Sequence, residues 1–173
     1  MKKTKLLFVL VFIVFGFLAV GCASYPAKQD WEYLNSESPL KNNKVFSLEI
    51  ISAPDVKVPV EALNGFKKIM IEEMAKKNIA VVQPDQDVPL ITVEIVKYHE
   101  RNFITFLLLG PWLGGEINIE TKILVVNKNV VILKGTLGAR TSPNPFNFSS
   151  AYGTVEGVQR KIAKQLAEKL SKL

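Results

Sequence analysis

One cysteine, one histidine and a few carboxylates are what this 173-residue chain offers for chemistry. Cys22 is the lone thiol, which excludes a disulfide framework and a cysteine-based metal site. His99 is the lone histidine, which removes two-histidine metal motifs and most serine–histidine hydrolase schemes. His99-Glu100 is a candidate acid–base pair, and Glu94, Glu116 and Glu120 are candidate paired carboxylates of the kind glycoside hydrolysis uses. Yet each of these three glutamates falls on the wet side of an alternating pattern, and His99 falls at a strand end. Asp85 and Asp87 lack the rest of a calcium loop. Gly110, Gly114 and Gly115 lack dinucleotide-loop spacing, and no Gly-Lys-Ser/Thr follows them. The residues therefore predict no cofactor, no metal and no enzymatic reaction.

Cys22 is the reactive group with a context. Lys2, Lys3 and Lys5 precede an uncharged run from Leu6 to Val20, and Gly21 closes it. A basic head, an apolar middle and a small residue at the cut site are the parts of an export signal. Leu18-Ala19-Val20-Gly21-Cys22 resembles a bacterial lipobox, in which the cysteine is acylated and becomes the first mature residue. Leu6 to Val20 is shorter than the roughly 20 apolar residues of a spanning helix, which argues against a retained anchor. A signal cleaved without lipidation is the other alternative, and the cysteine at the cut site argues against it. The expectation is a signal peptide over 1–21 and a lipid on Cys22 that holds the protein to a membrane. Ala23, rather than an aspartate, follows the cysteine. By lipoprotein sorting habits that points to the outer membrane, facing the periplasm, or to the outside of the plasma membrane in a one-membrane cell.

Removing the signal takes 22 basic side chains to 19 against 16 acidic, so the formal charge falls from +6 to +3. That is an ordinary surface and predicts no nucleic-acid partner. Residues 22–43 read as a lipidated cysteine and flexible tether, rich in Ser, Asn, Gln and Pro, with no helical or strand period. Such a tether reaches about 25 Å and would let the domain stand off the bilayer. Trp31, Tyr33 and Leu34 interrupt it, either docking on the domain or meeting a partner or membrane.

Residues 44–173 read as one globular domain. Val45–Ile51 alternates as a half-buried strand. From Pro59, the residues Leu63, Phe66, Met70 and Met74 make a helical stripe that ends at Asn78, a candidate left-handed cap. Strands follow over Ile79–Val82, Leu90–Tyr98, Glu116–Val126 and Val130–Leu137, with Asn127-Lys128-Asn129 as the last hairpin turn. Thr154 is placed to cap a final helix whose stripe is Val155, Val158, Ile162, Leu166 and Leu170.

Two stretches do not fit a plain core or a plain loop. Arg101–Gly115 holds Phe103, Phe106, Leu108 and Trp112, too apolar for an ordinary surface loop and too short to span a bilayer. Thr141–Gly153 sets Phe146 and Phe148 among Ser and Asn, the makeup of binding loops. These six side chains are the candidate contacts for a protein partner or the bilayer; filling the end of the core is the alternative.

A strand–helix–strand unit followed by an antiparallel meander and a helix predicts an α+β fold. The expected form is a two-layer sandwich, a mixed, mostly antiparallel sheet with two helices packed on one face. In this order, from the lipobox through Val45–Val82, Leu90–Arg101, the Gly-rich turn Leu109–Gly115, the hairpin Glu116–Leu137 and the helix Thr154–Leu173, the chain resembles a family of small bacterial lipoproteins of unknown function. More distantly it is similar to the periplasmic domains of the curli secretion lipoprotein and the N-terminal domain of TolB. Those resemblances imply a non-enzymatic binding or accessory component of an envelope assembly, with an envelope protein or a second copy as partner. A carrier of a lipid or other hydrophobic ligand is the alternative, and an envelope hydrolase stands behind it.

Overall fold

The computed structural model describes residues 29–34, 43–84, 87–100, 116–141 and 154–172. In chain order these form β1 (Gln29–Tyr33), β2 (Val45–Ser52), α1 (Val60–Ala75), β3 (Ala80–Val82), β4 (Leu90–His99), β5 (Ile117–Asn127), β6 (Val130–Thr141) and α2 (Val155–Leu170). The strands make one sheet in the order β1-β6-β5-β4-β2-β3. Three neighbouring pairs are antiparallel, β1 with β6, β6 with β5 and β5 with β4. Two are parallel, β4 with β2 and β2 with β3. This is the mixed, mostly antiparallel α+β sandwich that the pattern predicts.

Period-2 alternation puts Ile91, Val93 and Ile95 of β4, and Ile119, Ile123 and Val125 of β5, into the core. Phe46 and Leu48 of β2 join them. Against this face α1 packs over β2 and β3, α2 packs over β5 and β6, and the helices pack on each other. Phe66, Met70 and Met74 of α1, with Ile162 and Leu166 of α2, are buried between the layers. The hairpin β5–β6 turns through Lys128 and Asn129, both with positive φ, as a two-residue turn matched to strand twist requires. Asn78 also has positive φ, at 58°, and ends α1 as its sequence position predicts.

The stretch read as tether differs from its expectation. Gln29–Tyr33 is a strand, and its register with β6 runs from Gln29↔Leu137 to Tyr33↔Leu133. Gln29, Trp31 and Tyr33 alternate with Asp30 and Glu32, so a period of two was present over five residues among the Ser, Asn and Pro around it. Of the two readings of Trp31, Tyr33 and Leu34, docking on the domain holds for Trp31, while Tyr33 and Leu34 stay exposed. Trp31 packs against the core, and Lys169 of α2 sits 5.3 Å from its ring centre and 4.5 Å from that of Tyr33.

Candidate functional site

The side chains expected to do the work, Cys22, Phe103, Phe106, Leu108, Trp112, Phe146 and Phe148, lie outside the described residues. The chain ends that lead into them are described. His99 closes β4 opposite Asn118, and Ile117 opens β5 opposite Thr141, the last residue of β6. The segments 101–115 and 142–153 therefore both depart from one end of the sheet, called here the loop end. β1 runs antiparallel to β6, so Gln29, its first residue, is the one nearest the loop end.

The helices start at that end too. Thr154 caps α2, its Oγ1 accepting the Gly157 N–H at 3.1 Å, as the sequence predicts. The first turns of α1 and α2 and the end of β4 border an open groove of about 500 Å³. Ala62, Gly65, Ile69 and Val155 form its apolar lining, and Glu61, Glu72, Glu100 and Glu156 contribute carboxylates. Gln159 lies beneath, 2% exposed, its Nε2 donating to the Ala62 carbonyl at 2.9 Å.

One guanidinium ties this region together. Arg160 Nη1 lies 2.9 Å from Glu73 and 3.2 Å from Glu72, and Nη2 lies 3.1 Å from Glu156. Glu73 is buried and also takes a 2.6 Å contact from Lys76. Burial works against its ionisation, but hydrogen bonds from Lys76 and Arg160 outweigh it and hold the carboxyl below its ordinary value. Hydrogen bonds from Arg160 to Glu156 and Glu73 push the guanidinium's own pKa upward. Beside the groove, Tyr98 donates its O–H to Glu100 at 3.1 Å. Burial, then that hydrogen bond and the Glu100 charge, push the phenol up to about 12.

The carboxylates considered for acid–base work do not converge. Glu94 faces Lys122 across β4 and β5, and Glu120 pairs with Lys97 at 3.2 Å, both on the face of the sheet away from the helices. Glu116 precedes β5, and His99 is exposed at the end of β4. Among the described residues no cluster of three or more His, Cys, Asp or Glu could hold a metal ion. Among them, too, no helix is long and apolar enough to cross a membrane. The groove was the feature that the sequence reading missed. Its signal was Gln159, a polar residue inside the apolar stripe of α2.

No family model matches the chain, and no curated protein matches it. Solved structures do. The PelC dodecamer from Paraburkholderia phytofirmans aligns with a TM-score of 0.57 at 11% identity, over 84% of this chain and 98% of that one. A minor lipoprotein from Acinetobacter baumannii aligns at 14% identity and TM-score 0.38, over 75% and 90%. Rare lipoprotein B from Shewanella oneidensis aligns at 14% and 0.33, over 73% and 91%. At these identities the likeness to PelC is one of fold.

Proposed function

We propose that the chain is a lipid-anchored cell-envelope protein that works by binding, as an accessory component of an envelope assembly, without a reaction of its own. In this reading Cys22 carries the lipid, the protein faces the periplasm from the outer membrane, and the partner is an envelope protein or another copy. The observation that supports it is the register of β1 on β6. From Gln29, opposite Leu137, β6 runs four more residues to Thr141, about 14 Å, before the loop end is reached. The seven residues from Cys22 to Lys28 span up to about 24 Å when extended. If fully extended, that segment would carry a lipid on Cys22 past the loop end, on the side where the apolar stretches around Phe106 and Phe148 depart. The anchor and the two apolar stretches then meet one surface, and the domain is held closer than a free tether would hold it.

The carrier reading fares less well. It needs apolar space between sheet and helices, and that interface is filled by Phe46, Phe66, Met70, Met74, Ile162 and Leu166. PelC is described as a dodecamer, which favours testing a second copy as partner first.

The test is crosslinking in live cells from a photoreactive residue at position 106 or 148, with recovery and mass spectrometry. Adducts to an envelope protein or to a second copy are expected, and Cys22→Ser should release the protein from the membrane fraction. Recovery of neither protein nor lipid adducts from either position would overturn the contact role of the two stretches.

A further inference from the structure

The sheet ends in two edges that fit each other. We propose that β1 of one copy pairs with β3 of the next, so that the sheet runs on from copy to copy. This deepens the reading of another copy as partner, and it rests on the anchor reading where membrane orientation is used. β1 and β3 are the outermost strands, and neither has a further neighbour among the described residues. An open edge is a template for another strand. Leu34 gives its N–H to the Ile132 carbonyl on β6, and strand alternation then turns the N–H and C=O of Trp31 outward. Ala80 gives its N–H to the Lys44 carbonyl beside β2, so the same groups of Val81 turn outward too. Both side chains lie on the helix side: Trp31 under Lys169 of α2, and Val81 opposite the buried Phe46. Traced through the sheet, β1 and β3 run in opposite directions. A second copy with its helices on the same side therefore meets β1 antiparallel. Trp31 stands opposite Val81 and exchanges both hydrogen bonds, with Asp30 opposite Val82 and Glu32 opposite Ala80.

The side chains of the two edges are complementary. Gln29–Leu34 holds Asp30 and Glu32 and no basic residue, whereas residues 76–82 hold Lys76 and Lys77 and no acid, with Lys44 bonded beside them at Ala80. Antiparallel pairing brings the Glu32 end of β1 to the Lys44 and Lys77 end of β3. Neither of those lysines has an ion-pair partner among the described residues. Glu32 meets Lys134 at 2.8 Å in an exposed pair, a weak tie that leaves the carboxylate open to a second cation. The one acid of β2, Glu49, lies beyond the end of β3, away from Glu32. Apolar side chains stand bare at both edges, Tyr33 at 50% and Leu34 at 43% exposure on one, Val45 at 40% and Val82 at 41% on the other.

Pairing like edges fares worse. Two β1 strands joined antiparallel would set Asp30 against Glu32 twice, and like charges across strands repel. They would also point the two loop ends in opposite directions, so that two lipids on Cys22 could not enter one bilayer. Pairing β1 with β3 keeps every loop end on one side. The contact is heterologous: each copy offers both edges, and the row closes into a ring or runs on as a filament.

The experiment uses the full chain in cells. Asp30→Cys and Val82→Cys are placed on separate chains and co-expressed, since directly opposed cross-strand residues hold their Cβ atoms about 4.5–5.5 Å apart. After oxidation, a 30–82 disulfide dimer identified by mass spectrometry is expected from the mixture. Neither chain expressed alone should dimerise through its new thiol. Lys44→Glu with Lys77→Glu on the Val82→Cys chain should lower the yield, by up to about fivefold for each exposed charge pair. Glu32→Lys on the Asp30→Cys chain should restore it, which a misfolded variant would not allow. The wild-type chain, whose one thiol is Cys22, runs beside them. A disulfide through Cys22 there would count against the lipid anchor alone, whereas absence of the 30–82 dimer overturns the edge contact, anchored or not. Dimers of the Asp30→Cys chain with itself, or no rescue by Glu32→Lys, would overturn it as well.

Discussion

Trp31 lies over Gly135. The two face each other in the β1–β6 register, and a side chain at 135 would come within 2.6 Å of the Asp30 carbonyl and within 2.9 Å of the indole ring atom Cζ3. A missing Cβ on β6 is what lets the ring settle on the sheet, an aromatic covering a strand glycine. Gly135→Val should therefore dislodge β1 and cost about 1–3 kcal/mol, as overpacking does. Denaturant titration followed by tryptophan emission checks it, with the change expected in Trp31's environment before the core opens.

From the helix side, Lys169 holds the same strand through the faces of Trp31 and Tyr33. Lys169→Met keeps the stem and removes the charge. A loss of about 0.5–1 kcal/mol is expected, with faster hydrogen exchange at the β1 amides as the specific sign.

Arg160 and Glu73 set an acid limit. Glu73's folded pKa lies below its ordinary value of 4.5, so folding favours the ionised carboxyl. Its contribution is present above that pH and is lost as pH falls through the lowered folded value. Stability should decline on acidification below about pH 4.5. Arg160→Met should lower stability near neutrality by about 1–2 kcal/mol, the worth of a hydrogen bond to a charged group with one partner part-exposed. It should also flatten the acid limb in part, because one of the two groups that stabilise the ionised form is gone while Lys76 remains. Urea titrations across the acid range give both readings.

Tyr98 sets the corresponding alkaline sign. With a folded pKa of about 12 against an ordinary 10, the neutral phenol is favoured by folding. That contribution is complete below pH 10 and is lost as pH rises through the folded value. Absorbance titration in the near ultraviolet should find one of the chain's four tyrosines ionising late. Glu100→Gln should move it back part of the way, since burial, the larger cause, remains.

Most of the scaffold was written in local periods. The two-residue alternation of Ile91, Val93 and Ile95 and the helical spacing of Phe66, Met70 and Met74 read directly as buried faces, because each element repeats its pattern several times. Thr154 and Asn78 marked helix ends by side-chain chemistry alone. β1 was missed because five residues are too few for a period to stand out among turn formers, and its partner β6 lies a hundred residues away. The groove was missed for a related reason. Gly65 and Gln159 look like ordinary lapses in their own helices and acquire meaning only when α1 and α2 are packed together.

β1 also changes how the domain bears load. Its ladder to β6 is hydrogen-bonded at right angles to the strand direction. Tension applied to the chain ahead of Gln29 runs along that direction, so the ladder is sheared as a whole rather than opened bond by bond. Cleavage between Leu34 and Asn43 would leave the N-terminal piece still paired in the sheet. A protease acting there would nick the chain without setting the domain adrift, and release would wait on the slow step of pulling out the strand.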